Sequence, residues 1–158
     1  MKLDAMDIAI LWELQKDGRI SNVELAQRIN LSPPATHARL KRLDEKGYIH
    51  NYVALLDHEK LGFDMMCFIS VSLQLHQPEQ LEEFRAIIND IPEVLECYHV
   101  TGEFDYLLKV VIQNRQDLQR FVVKQLTPIP GVARIYTSLV LSEEKSTTAL
   151  PLRGSDGS

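Results

Sequence analysis

The stretch SNVELAQRINLSPPATHARLKRL, residues 21–43, holds two helix starts in close succession. Ser21 stands three residues before Glu24, the spacing at which a serine and a glutamate side chain each cap the other's backbone N–H. Leu25, Ala26 and Ile29 give this short helix one apolar face, and Asn30-Leu31 makes a brief turn. Ser32 then serves as N-cap of another helix, with Pro33 at the first position, where a missing N–H costs nothing. Thr36, Leu40 and Leu43 fall at i, i+4 and i+7, the spacing of a buried stripe, and Gly47 ends the helix. Upstream, Asp4 can cap a helix with Ile8, Leu11 and Leu14 on one side and Ile10 and Trp12 nearby, closed by Gly18. Three short helices, the last two separated by a tight turn, predict a helix-turn-helix over residues 1–50.

With Thr36, Leu40 and Leu43 turned inward, a wheel at about 100° per residue puts Pro34, His37, Ala38, Lys41 and Arg42 outward, with Arg39 on the flank. Small residues near the helix start allow close approach to base edges, and the basic residues farther along suit phosphates. Arg39, Lys41 and Arg42 could equally be a solvated basic face. The helix-turn-helix spacing ahead of them favours double-stranded DNA, with Ser32 at the helix start included among the contacts.

The charge distribution agrees. Net charge is −5, yet residues 1–60 balance nine basic against nine acidic side chains, so the excess negative charge lies in the second half. Residues 19–50 carry six basic and three acidic side chains. This asymmetry predicts two units with different partners. No run is long and apolar enough to span a bilayer, and MKLDAMD lacks a signal-peptide apolar stretch. Cys67 and Cys97 both sit in alternating apolar runs and read as buried free thiols, so a cytoplasmic protein is expected.

From Phe63 to Leu75 every odd position is apolar, which predicts a strand with one buried face. Pro78 marks a turn, and Leu81, Phe84, Ile88 and Ile91 follow helical spacing up to Pro92. Residues 94–101 and 104–112 alternate as two strands joined at Gly102. Asn114 can cap a helix carrying Leu118, Phe121, Val122 and Leu126, closed by Pro128 and Pro130, and a last strand runs from Val132 to Leu141. The order β-α-β-β-α-β is that of the ferredoxin-like split unit, so the fold class is α+β, with the helix-turn-helix first. An internal echo supports two βαβ halves: IPEV at 91–94 and IPGV at 129–132 each close a helix and enter a strand. Right-handed crossovers put both helices on one face. The other face, expected to be rich in Met, Phe, Leu and Val, should pair with a second copy. The expected divisions are a helix-turn-helix at 1–50, a strand-like connector at 51–61, a ferredoxin-like domain at 62–150 and a disordered tail at 151–158.

Three phrases carry a resemblance: residues 3–49 from LDAMDIAIL to KGYI, then VTGEFDYLLKV at 100–110, then GVARIYTSLVL at 131–141. Together they resemble the Lrp/AsnC, or feast/famine, family of bacterial and archaeal transcription regulators over residues 2 to about 150. The resemblance implies DNA binding by the N-terminal helices, dimerisation through the sheet and assembly of dimers into tetramers or octamers. It also implies sensing of an amino acid or related metabolite between dimers, with no cofactor. Carried over by residue, it places the effector at Thr101, Gly102, Glu103, Asp105 and Tyr106, with Thr137 and Ser138 on the last strand. A carboxylate such as Asp105 can accept an ammonium, while backbone N–H groups and hydroxyls hold a carboxylate. The plainer alternative is that Gly102 closes a hairpin and Asp105 caps backbone amides. Two departures touch the third helix: Thr36 stands where the family usually has a buried valine or similar residue, and Pro34 follows Pro33 directly.

Two other functions fit parts of the chain. Siroheme decarboxylases resemble the family in fold and need histidines around a tetrapyrrole; the candidates are His50, His58, His76 and His99. A metabolite-binding oligomer without DNA binding is the other. No CxxC, HExxH, P-loop or GxSxG motif is present, and no Cys/His cluster has zinc spacing, so no catalytic or metal residues are assigned and no enzyme is expected.

Overall fold

The structure is a computed structural model that describes residues 2–74 and 77–152. The chain folds as two compact units, Met1–Leu55 with the segment from Lys145 onward, and Leu56–Glu144.

The first unit contains α1 (Ala5–Lys16), α2 (Asn22–Arg28) and α3 (Pro33–Glu45). Each begins where the caps predict: Asp4 accepts from the Asp7 N–H, Ser21 from that of Glu24, Ser32 from that of Ala35. The reciprocal capping box, however, forms at Asp4 and Asp7 and not at Ser21, because Glu24 pairs with Arg28 at 2.6 Å. Asn30 adopts φ 56°, and the Leu31 N–H reaches back to the Ala26 carbonyl at 3.0 Å, ending α2 in a left-handed turn. The buried side of α1 is Asp7, Ile10 and Leu11, with Leu14 packed beside them, so the helix is rotated from the expected Ile8 stripe. On α3, Thr36 and Leu43 are fully buried and Leu40 packs at the margin.

Thr36 Oγ1 is buried with no partner among the described residues. Thr36→Val keeps the shape and removes this unpaired hydroxyl, so it is expected to raise unfolding free energy by about 1 kcal/mol in denaturant titration. A destabilised variant would mean that the hydroxyl is satisfied in solution.

The connector takes no strand within one chain. Tyr52, Val53, Leu55 and Leu56 are all exposed. The last described residues are ordered on the first unit. Gln15 and Leu150 exchange two hydrogen bonds, of 3.1 and 2.6 Å, and Leu152 packs against the Ile10–Leu43 core. The segment from residue 145 therefore departs from the expected division at 150, and Pro151-Leu152 is not disordered. The remainder of the expected tail lies outside the described residues.

In the second unit the strands β1 (Met65–Leu73), β2 (Val94–His99), β3 (Tyr106–Ile112) and β4 (Val132–Leu139) form one antiparallel sheet in the order β2-β3-β1-β4. Helix α4 (Pro78–Asn89) crosses from β1 to β2, and α5 (Arg115–Arg120) from β3 towards β4. Both helices cover one face: Phe84 and Ile88 of α4, and Phe121 and Leu126 beyond α5, join Cys67, Ile69, Val71, Leu108 and Val110 in a single core. Past Arg120 the helix widens to a π-helix over Phe121–Leu126, which keeps two residues five apart on the same side. Pro78 opens α4 instead of marking a turn before it. Leu75, at the expected end of β1, lies outside the described residues.

The opposite face is less uniformly apolar than expected. Met66, Phe68 and Leu107 share it with Ser70, Tyr98, Tyr136 and a Lys109–Glu96 pair at 3.8 Å. Both cysteines are free thiols whose ionisation burial pushes up.

Candidate functional site

Two regions gather the candidate residues, one in each unit. The first is the outer side of α3. Pro34, His37, Ala38 and Lys41 occupy i, i+3, i+4 and i+7 and all are exposed, so they form one continuous stripe with Ser32 at its N-terminal end. Lys41 is 67% exposed and only loosely joined to Glu45, at 3.8 Å.

Arg39 and Arg42 do not share that stripe. The expectation that Arg42 faces outward, free for phosphate, is corrected: its Nη2 donates to both Asp7 carboxylate oxygens, at 2.8 and 2.9 Å. Arg39 Nη1 donates to Asp4 at 2.7 Å and to Asp7 at 2.8 Å. Asp7 is 1% exposed, and these two guanidinium groups supply the partners that a buried carboxyl group needs. Arg39, with the Asp7 N–H adding to it, holds the Asp4 carboxyl below its ordinary range, and Asp4 in turn raises Arg39. The same carboxylates that cap α1 thus anchor α3. Sequence reading found Asp4 as a cap and missed Asp7, because the apolar stripe was drawn one residue out of phase. A second contact it missed is Asn22 Nδ2, which donates to the Pro33 carbonyl at 2.9 Å and ties the start of α2 to the start of α3.

The second region is the turn between β2 and β3. Gly102 has φ 121°, a conformation in which a side chain is strained. Asp105 fastens the turn to β1. Its N–H donates to the Val71 carbonyl at 2.9 Å, and its Oδ2 accepts the Leu73 N–H at 2.7 Å. Both readings of Asp105 stood open in the sequence; the geometry realises the backbone-capping one. Thr101, Gly102 and Glu103 are exposed at the tip, whereas Tyr106 is 1% exposed between Phe84 and His99, with ring centroids at 4.5 and 4.9 Å.

The turn meets β4 at residues the sequence reading did not select. Arg134 Nη1 donates to Glu103 at 3.0 Å, its guanidinium lies 5.1 Å from the Phe104 ring centroid, and Tyr136 lies 6.3 Å from Phe104. Thr137 and Ser138 are not brought to the turn within the protomer. They stand opposite Ile69 and Phe68, nearer the start of β1 than the Val71 that the turn contacts, and point to opposite faces of the sheet. The signal that could have found Arg134 is register: it pairs with Ser72, beside the strand end that Asp105 holds.

Of the tetrapyrrole candidates, His58 Nδ1 is 2.7 Å from the Phe63 carbonyl oxygen, His99 is stacked on Tyr106, His50 is exposed, and His76 lies outside the described residues. Among the described residues no group of His, Cys, Asp and Glu could hold a metal ion, and no helix is long and apolar enough to cross a membrane.

Comparison with known proteins matches both units. Residues 3–50 match the family described as winged helix-turn-helix DNA-binding, and residues 66–150 the Lrp/AsnC ligand binding domain. The chain is 38% identical over 151 residues to the leucine-responsive regulatory protein of Salmonella typhimurium, covering 96% of this chain and 92% of that one. It is 38% identical over 150 residues to the transcriptional regulator AzlB of Bacillus subtilis, covering 95% and 96%. Among solved structures, a transcriptional regulator of Neisseria meningitidis in complex with L-Met superposes with a TM-score of 0.92 at 41% identity, covering 95% of this chain and 97% of that one.

Proposed function

We propose, from the premise that this chain belongs to the Lrp/AsnC family of transcriptional regulators, that the α3 stripe reads a DNA major groove and that the turn at 101–105 receives a free amino acid together with Arg134. The family makes the chain a DNA-binding transcription regulator whose second domain answers to a small metabolite. Its relatives are named as transcriptional regulators.

The observation that carries the effector reading is the Arg134–Glu103 pair laid across Phe104. Both partners are more than half exposed, so the pair itself is worth about 0–1 kcal/mol and opens readily. A zwitterion can replace it: carboxylate on Arg134, ammonium on Glu103, side chain against Phe104 and Tyr136. Asp105 then positions the turn, and Tyr106 supports it from the core. The Neisseria regulator's L-Met supports an amino acid as the class of ligand.

On the DNA side, the exposed stripe from Ser32 to Lys41 is free to enter a groove, while Arg39 and Arg42 hold α3 at the angle that presents it. Two copies joined through the open sheet face would present two such helices to half-sites about one helical turn, or a multiple, apart. Tetramers or octamers of this kind would bend the duplex. An amino acid that favours one arrangement of dimers over another shifts DNA affinity by its differential binding.

The test is calorimetry of the full chain against the free amino acids. Arg134→Ala is expected to lose about tenfold or more in affinity for the amino acid that binds, with a nearly unchanged melting temperature. An Arg134→Ala protein that binds as the wild type does would remove this residue from the site.

A further inference from the structure

Residues 147–152, TTALPL, carry no charge, and Pro151 biases the residue before it towards extended backbone. The chain then turns. The Leu152 N–H donates to the Leu150 carbonyl at 2.9 Å, a three-residue turn that suits the fixed φ of the proline at its centre. Leu152 packs on the core that holds Ile10 and Leu43, while the Leu150 side chain stays outside. Gln15 of α1 reads the Leu150 backbone with both ends of its amide. Its Nε2 donates to the Leu150 carbonyl at 3.1 Å, and its Oε1 accepts the Leu150 N–H at 2.6 Å. A side-chain amide used in this way stands in for a neighbouring strand and grips an extended chain by its backbone.

Both segments that connect this unit to the rest of the chain meet it at one end of α1. On the connector side the Tyr52 ring lies against Gly18, where a Cβ would meet it at 3.9 Å, and on the other side Leu150 is held by Gln15. The Asp7 carboxylate that holds α3 stands eight residues before Gln15, about 12 Å along the helix. The hold on residues 147–152 is slight. It consists of two exposed hydrogen bonds and one half-buried leucine. The space beneath is unfilled, with a cavity of about 510 Å³ between α1, residues 48–53 and this segment. A contact of that size opens locally without unfolding the unit it rests on.

We infer that residues 147–152 are a releasable latch on the helix-turn-helix unit, closed by Gln15 and Leu152, which gives that unit two tethers in place of one. With the latch open, the connector alone limits the unit. With it closed, the stretch from Val140 to Leu150 limits it as well. The Val140 N–H donates to the Met66 carbonyl at 2.9 Å, and the ten residues from there to Leu150 reach about 35 Å at most. A second tether narrows the range of placements that a helix-turn-helix gives up when it settles on DNA. Closure therefore strengthens binding where two units engage one duplex together. No residue of the α3 stripe lines the cavity under the latch, so the contact of one unit with one half-site is left as it is. The inference rests on the paired recognition helices proposed above.

The experiment compares the full chain with Gln15→Ala, which keeps a good helix former in α1, and with Leu152→Ala. In amide hydrogen exchange the Leu150 and Leu152 N–H groups of the wild type are expected to exchange about tenfold or more slowly than in an unstructured chain. Gln15→Ala should remove that protection at Leu150 while the amides of Ile10 and Leu11 keep theirs. The DNA probe is a duplex selected for binding to the wild type from random sequence, whole and cut to one half-site. Both variants are expected to bind the whole duplex about threefold to tenfold more weakly and the half-site as the wild type does. An unprotected Leu150 amide in the wild type overturns the inference. Equal losses on both duplexes do the same, because they make the contact plain support for α1. A wild type that gains nothing from the second half-site overturns the pairing of recognition helices and the latch with it. A wild type that gains, with both variants gaining as much, overturns the latch alone.

Discussion

Replacing Asp7 with alanine is expected to lower the stability of the N-terminal helices by about 2–3 kcal/mol, the largest single loss among the charged residues of this unit. Asp7 accepts from two arginines of α3 and from the Asp4 N–H, and it is almost wholly buried. A fully buried pair broken at one partner costs about 3–5 kcal/mol, because the other charge is stranded. Here the stranded partners are side chains that remain 28% and 43% exposed, so they rehydrate in part and the cost is smaller. Urea unfolding of the variant measures it directly. An unchanged midpoint would mean that desolvation of Asp7 already cancels what the two arginines return.

Lys41→Ala separates the DNA-facing role from this structural one. Lys41 is exposed and held by no strong partner, so its loss is expected to leave the unfolding curve in place. In binding titrations it should reduce the slope of log affinity against log salt by about one for each phosphate contact removed. The pH dependence of the clamp has a definite sign. The Asp4 carboxyl is depressed in the folded state, chiefly by Arg39, so its contribution is present above the ordinary value of 3.8 and is lost as pH falls through the folded value. The clamp therefore weakens on the acid side and is intact near neutrality.

What was legible in the sequence depended on whether a residue acts through its neighbours in the chain or through distant ones. The caps Asp4, Ser21, Ser32 and Asn114 were readable because a cap bonds within three residues of itself. Strand alternation in β1 was readable because the helices cover one face of the sheet, so the odd positions from Cys67 to Leu73 are buried. Arg42 was misread because nothing local reports that Asp7, thirty-five residues earlier, points into the same core. An aspartate at i+3 from an aspartate reads as one more surface charge. Thr137 and Ser138 were brought in by resemblance; in the protomer, strand register delivers Arg134 and Tyr136 to the turn instead. The β-bulge between Ser72 and Leu73 that shapes this corner leaves no mark in the alternation of β1.

That bulge makes Asp105 the residue whose loss should cost the effector response most. At the register shift the Leu73 N–H is met by the Asp105 carboxylate at 2.7 Å, while the Asp105 N–H holds Val71 and its carbonyl accepts from Val100. Asp105→Ala leaves the two backbone bonds and strands the Leu73 amide, a loss of about 2 kcal/mol. The turn carrying Glu103 and Phe104 then loses this side-chain tie to β1, so amino-acid affinity is expected to fall about tenfold or more, with DNA affinity unchanged. Asp105→Asn discriminates between the two ways a carboxylate can serve here. Its amide oxygen can still accept the Leu73 N–H, so a positioning residue is restored in both stability and affinity. A variant as stable as the wild type yet unresponsive to amino acid would instead make the negative charge of Asp105 a direct contact to the ligand's ammonium, with Glu103 displaced from that role.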